Sequence, residues 1–257
     1  MSRKLSVVIP TLQKDPKTLN KLVSTLVDDE AVKEILIIDN SLKGFPFDNK
    51  KVCVITPKEN LFVNPSWNLG VKEAKYEYIC LVNDDIKIPP KFCSKVLEKI
   101  SDDYGIIGID EKNVIQTKDE NNNIILDINS VELEPSKEVS FQKITYRPSG
   151  FGIMIFFKKE NFVEIPQDLK VFYGDDWIIY QADKNKKINA TCTGQDIYHI
   201  GSLSSKRFEN MLSYEKRKYY RKIVPNYKKL LYCYKDSRRW VLFILGLMVF
   251  INKKGLQ

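Results

Sequence analysis

Four short apolar runs constrain this chain more than anything else: LSVVIPT (5–11), EILIIDNS (34–41), KVCVITP (51–57) and YEYICLV (76–82). Each holds an unbroken apolar stretch, such as Ile79 to Val82, rather than an alternating pattern, which is how a strand buried on both faces reads. Helix-like segments separate them. In DPKTLNKLVSTLVDDE, Asp15 is placed to cap and Pro16 to open a helix. Leu19, Leu22, Val23 and Leu26 then recur at helical spacing. NPSWNLGVKEAK (64–75), with Asn64 capping and Pro65 opening, and PPKFCSKVLEKIS (89–101) read the same way. Strands alternating with helices predict an α/β fold with a mostly parallel sheet flanked by helices. A chain of 257 residues is long enough to bury such a core.

Residues 111–148 change character to polar turns with antiparallel strands, consistent with a hairpin excursion, and FGIMIFFKKENF (151–162) returns to core-like hydrophobicity. Gly150 and Gly152 are too sparse for a dinucleotide-binding fingerprint. The five cysteines are scattered without C-x-x-C spacing, and Cys53 and Cys80 sit in apolar runs as small hydrophobes. A reducing, cytoplasmic compartment is the natural reading, without a structural zinc. The opening apolar run is too short for a signal peptide.

In parallel sheets of this kind, ligands bind beyond the carboxyl ends of the strands. Thr11, Asp39 and the pair Asp84–Asp85 all fall at such ends. Two adjacent carboxylates repel one another unless a cation or donor compensates. A divalent cation would do so and could bridge nucleotide phosphates; a solvated Asn-Asp-Asp turn is the plainer alternative. A second pair, Asp175–Asp176, precedes Trp177 at the start of a helix-like run. The helix dipole favours acids there, and capping accounts for one of them. The other, beside Trp177 and Tyr180, could serve as a general base toward a bound hydroxyl. His199 is the sole histidine. It is either a satisfied structural group or a neutral imidazole completing a cation site begun by an aspartate.

Taken in order, SVVIPT, EILIIDNS, ENLFVNPSWNLGVKEAKYEYICLVNDDIKIPP and GDDW resemble the motif series of family 2 glycosyltransferases of the GT-A (Rossmann-like) fold, over about residues 5–203. The resemblance implies that Pro10, Thr11 and Asp39 border the base and ribose of a nucleotide sugar. Asn68 and Gly70 would lie near the nucleotide, and Asp84 and Asp85 would form the Asp-x-Asp-type element, with Asp85 the direct metal ligand. Gly150 and Gly152 would line the donor sugar and acceptor. Asp176 would be the catalytic base, with Asp175 the other candidate, Trp177 would help form the acceptor pocket, and His199 would be a C-terminal metal ligand. Phe62 stands where relatives often place glycine, and Asn83 replaces the first acid of the common triplet.

The implied reaction is inverting, metal-dependent transfer, with manganese or magnesium, from a UDP-, dTDP- or GDP-linked sugar. Its acceptor would be a hydroxyl of a cell-surface glycan or a lipid-linked molecule. A sugar-phosphate nucleotidyltransferase would carry a glycine-rich basic loop after the first strand, unlike PTLQKDPK. A non-catalytic membrane-associated scaffold or carbohydrate-binding protein would not need both acid pairs.

Charge divides the chain at about residue 205. Residues 206–257 hold 14 Lys and Arg against 3 acids, whereas 1–205 hold 27 against 30. The sequence therefore divides into a GT-A domain (1–205) and a basic, tyrosine-rich helical extension (206–257) with an apolar segment at 240–251. As one helix that segment would reach about 18 Å, short of the roughly 30 Å hydrocarbon core. It is expected to lie in the interface at the inner face of the cell membrane, flanked by Arg238, Arg239, Lys253 and Lys254. Packing on the domain or in a homo-oligomer competes with this. A basic, tyrosine-rich stretch also suits nucleic acid, but the reading adopted has no nucleic-acid partner.

Overall fold

The computed structural model describes residues 3–118, 123–201, 208–224, 231–235, 239–244 and 247–252. The four apolar runs form β1 (Leu5–Thr11), β2 (Val32–Asp39), β3 (Val52–Ile55) and β4 (Tyr78–Val82), all parallel, in the spatial order β3-β2-β1-β4. The chain leaves β1 toward β2 on one side and returns with β4 on the other. The carboxyl ends of β1 and β4 therefore flank a switch point, where such sheets open a crevice.

After β4 come β5 (Ile86–Lys87), β6 (Tyr104–Ile109), β7 (Val114–Gln116), β8 (Ser140–Lys143), β9 (Met154–Lys158), β10 (Ile188–Thr193) and β11 (Ile197–His199). The main sheet has the order β3-β2-β1-β4-β9-β6-β10-β8, with β9 antiparallel to both of its neighbours. A small sheet, β5-β11-β7, lies beside the turn that follows β4. Among the described residues, antiparallel pairing within 111–148 is limited to an isolated bridge between Lys118 and Ile124. β7 pairs in parallel with β11, and β8 closes the main sheet against β10. Both strands find their partners far along the chain, which local alternation cannot reveal. Cys53 is exposed rather than core, because β3 is an edge strand and only partly covered.

Helices cover both faces. α1 (Pro16–Asp28) starts as expected, the Asp15 carboxylate accepting from the Thr18 amide and hydroxyl. With α3 (Phe92–Lys99) it covers the face bearing Val7 and Ile9. α2 (Val63–Glu73), α4 (Gly174–Lys184) and α5 (Glu209–Ile223) cover the face bearing Val8 and Ile155. A Cβ on Gly70 would lie 2.2 Å from Val8 Cγ1, so glycine there lets α2 sit against β1.

Asn64 does not cap α2. The helix begins two residues earlier than expected, at Val63, after Phe62 at φ +67° and ψ −173°, a conformation that glycine adopts most readily. The Phe62 ring packs edge-on to Phe208, with centroids 5.3 Å apart, beneath the Lys170 ammonium.

The extension is helical through α5, which buries Tyr219, Tyr220 and Ile223 in the second core together with Val224 at its C-cap. Beyond it the expected single helix over 240–251 is replaced by strands. β12 (Leu231–Lys235), β13 (Arg239–Ile244) and β14 (Leu247–Asn252) form an antiparallel meander in which Ile244 pairs with Leu247. Trp, Val, Ile and Phe dominate this run, side chains that favour strands, and Gly246 falls between the last two. Among the described residues, no helix is long and apolar enough to cross a membrane.

Candidate active site

The parallel pairing of β1 and β2 puts Thr11 opposite Asp39 at the carboxyl edge of the sheet, with Pro10 opposite Ile38. Asp39 is fully buried. Its carboxylate accepts from the Ser41 amide (3.0 Å), the Ser41 hydroxyl (2.6 Å) and the Gly44 amide (2.7 Å). Burial alone would raise its pKa, but hydrogen bonds from Ser41, Gln13 and Gly44 outweigh it and hold the group below the usual range. Asp39 is thus an acceptor fixed in place by its own turn.

From Thr11 the site passes to the acid pair. Thr11 Oγ1 donates to Asp84 Oδ2 at 2.5 Å. Burial, and then the neighbouring charge of Asp85, push Asp84 up to about 7, against the lowering effect of the Thr11 bond. Asp85 is buried, and its Oδ1 lies 3.3 Å from His199 Nε2. The antiparallel register of β11 on β5, His199 opposite Ile86, creates that approach. On the ring's other side, Gln116 Nε2 lies 3.4 Å from His199 Nδ1.

A backbone hydrogen bond from the Asn83 amide to the Ile153 carbonyl (2.9 Å) then joins the Asp84 turn to the turn Phe151–Ile153. Gly150 opens that turn at φ +72°, where a side chain would be strained. A Cβ on Gly152 would stand 2.7 Å from Asp175 Oδ2, so the absence of a side chain lets α4 bring its acids against the turn.

Asp175 and Asp176 occupy the first turn of α4, where the dipole favours acids. Both are held by Arg147. Its Nη1 lies 3.1 Å from Asp175 Oδ2 and its Nε lies 3.0 Å from Asp176 Oδ2. The charge of Asp175 first, then that of Asp176, raises the guanidinium pKa further despite burial. Asp175 Oδ1 also accepts from the Asp176 amide at 3.0 Å. Arg147 was not anticipated. Its one signal is compositional: no other arginine occurs between Arg3 and Arg207.

Thr11, Asp39, Asp84, Asp85, His199, Gly152, Asp175 and Asp176 thus connect, by direct contact or through adjacent turns, along one edge of the sheet. The other expected residues make the following contacts. Asn68 exchanges two hydrogen bonds with the backbone of Ile165, at 2.8 and 2.9 Å. Gly70 faces Val8, and a Cβ on Gly150 would meet Val114. Trp177 is partly exposed beside Asp176, its indole N–H donating to the Glu164 carbonyl at 3.1 Å.

Among the described residues, no group of three or more His, Cys, Asp and Glu converges as a metal site. The donor set here is one imidazole nitrogen and one carboxylate oxygen, facing each other at 3.3 Å with Asp84 next in sequence. Magnesium and manganese are commonly held by only one or two carboxylates, with water and substrate phosphates completing the shell. The pair fits a cation of that kind when it is shared with a nucleotide diphosphate.

The comparisons agree with this architecture. Residues 6–162 match the model of Glycosyl transferase family 2. The crystal structure of S. aureus TarS is similar in fold, with a TM-score of 0.50 and 15% sequence identity over 84% of this chain. The chain spans 43% of that TarS chain. No curated protein matches at a significant level.

Proposed function

Because the chain belongs to glycosyl transferase family 2, we propose that it transfers a sugar from a nucleotide-sugar donor to an acceptor hydroxyl by a single displacement with inversion. The observation that carries this reading is the Arg147–Asp175–Asp176 cluster seated against Gly152, whose turn is hydrogen-bonded to the Asp84–Asp85 turn. Asp39 and Thr11, both buried, would shape the nucleoside end of the site from beneath. Asp85 and His199 would hold a divalent cation, manganese or magnesium, which when bound supplies positive charge toward the departing diphosphate.

Both oxygens of Asp175 are engaged, one by the Asp176 amide and the other by Arg147. This supports an orienting role for Asp175, and the reading takes Asp176, also held by Arg147, as the base. The Asp176 carboxylate accepts the acceptor's proton as the hydroxyl oxygen bonds to the anomeric carbon and the bond to diphosphate breaks. Arg147 fixes the carboxylate's direction, and Trp177 borders the acceptor. The donor is a UDP-, dTDP- or GDP-linked sugar, and the acceptor a glycan or lipid-linked hydroxyl.

The test is Asp176→Asn. A positioned base contributes roughly 10²–10⁴-fold, so turnover should fall by that factor while calorimetric nucleotide binding is retained. Near-normal turnover in this variant removes the assignment.

The reading includes peripheral attachment to an anionic membrane surface. α5 exposes Leu212 and Tyr214 beside Arg217 and Arg221, and Ile244 and Leu247 are exposed where β13 meets β14. Basic residues interspersed with apolar ones suit such an interface. The full chain should float with phosphatidylglycerol vesicles and not with phosphatidylcholine vesicles, and Arg217→Glu with Arg221→Glu should abolish flotation. No flotation with either lipid counts against attachment.

A further inference from the structure

The segment Leu169–Phe172, just ahead of the acid pair, is neither helix nor strand, yet its backbone is held by two residues from distant helices. From α2, the Asn64 carboxamide donates to the carbonyls of Leu169 (3.0 Å) and Phe172 (3.1 Å), and the Asn64 amide donates to the carbonyl of Lys170 (2.9 Å). From α5, the Glu215 carboxylate accepts from the amides of Lys170 (3.0 Å), Val171 (3.1 Å) and Phe172 (2.7 Å). Glu215 is fully buried, on a helix whose other buried residues are apolar or aromatic.

The next residue, Tyr173, turns at φ +62° and stacks on Tyr219 of α5, with centroids 5.0 Å apart. α4 then starts at Gly174, where a Cβ would lie 2.1 Å from Asn64 Oδ1. The same two helices therefore set both the backbone before the acids and the point at which α4 begins.

We propose that Glu215 is a positioning residue for the Asp175–Asp176 pair, making α5, which lies outside the matched residues 6–162, a working part of the active site. This rests on the reading of Asp176 as base. A carboxylate is suited to the task because both of its oxygens only accept, and three N–H groups converge on it. Glutamine keeps the shape but turns an NH₂ group toward donors. A reacting group displaced by about 1 Å loses on the order of 10²-fold in rate.

The experiment compares the intact chain with Glu215→Gln and with Ile223→Ala. The latter loosens α5 at a buried apolar contact and leaves the carboxylate in place. Two readouts are taken with manganese present. One is amide exchange of residues 169–177 by mass spectrometry. The other is kcat and KM for hydrolysis of whichever of UDP-, dTDP- and GDP-glucose the intact chain cleaves fastest.

Glu215→Gln should raise exchange at residues 170–172 by about tenfold or more and lower kcat by about 10- to 100-fold, with KM nearly unchanged. Ile223→Ala, at a similar loss of Tm, should do neither. Unchanged exchange at 170–172, kcat close to that of the intact chain, or the same kcat loss in Ile223→Ala would each overturn the proposal. If Glu215→Gln does not fold, Glu215→Asp, which keeps the charge on a shorter arm, takes its place with the same outcomes. If the intact chain cleaves none of the three, glucose is not the sugar it transfers, and the exchange result alone decides whether Glu215 clamps the segment.

Discussion

His199 Nε2 faces Asp85 Oδ1 at 3.3 Å, across the pairing of β11 with β5. Folding thereby pairs a nitrogen and an oxygen from groups far apart in the sequence, the two that the proposed function assigns to a cation. UDP should stabilise the protein only together with manganese or magnesium. The gain is about 2.7 kcal/mol when ligand reaches a hundred times its dissociation constant. Thermal-shift measurement should show this gain abolished by EDTA, by Asp85→Asn and by His199→Ala. A full shift in EDTA contradicts the cation role.

Arg147 neutralises two neighbouring carboxylates on α4. Arg147→Met should cost about 1.5–3 kcal/mol, the scale of hydrogen bonds to charged groups, through two like charges left side by side. Urea denaturation measures this. Arg147→Lys keeps the charge but loses the two-point grip, so it should recover most of the stability and little of the turnover.

Gly152 and Gly70 are both closely approached, with different consequences. A Cβ at 152 would meet the end of the Asp175 side chain at 2.7 Å, which can swing aside. Gly152→Ala should therefore leave Tm nearly unchanged and depress activity. A Cβ at 70 would meet Val8 at 2.2 Å inside the core. Gly70→Ala should cost about 1–3 kcal/mol as an overpacked core does. Paired melting and activity measurements separate the two.

Glu34 gives the fold an acid-sensitive anchor. Its buried carboxylate accepts from the Ser6 hydroxyl (2.7 Å) and the Lys75 amide (2.9 Å), and it pairs with the Lys75 ammonium (2.9 Å). Burial works to raise its pKa, but these partners outweigh it and hold the group below its ordinary 4.5. A folded-state value below the unfolded one means the contribution is complete above about pH 4.5 and is lost as pH falls through the depressed value. Glu34→Gln should lower stability at neutral pH and flatten the stability curve below pH 4.5. An unchanged acid limb in that variant contradicts this role.

The parallel strands, the Asp15 cap and the placement of both acid pairs at element ends were legible in the sequence, because each rests on near-neighbour physics. Runs such as LSVVIPT can hide their polar backbone only inside a sheet. Proline and aspartate at a helix start act on the adjacent turn. The edge position of β3, and hence the exposure of Cys53, needed the strand order. The two strands that replace a helix at 240–251 depended on pairing partners that periodicity does not contain.

Arg147 and Glu215 were legible in neither motif nor spacing. One is a lone arginine in a polar stretch, and the other is a glutamate in a basic helix. Each acquires meaning only when folding sets it against groups distant in the chain, Asp175 and Asp176 in one case and the amides of 170–172 in the other. Residue type and local order dictate which backbone each segment adopts. Which charges and donors finally meet is settled by how the layers pack, since electrostatic and hydrogen-bonding partners are chosen by distance in space.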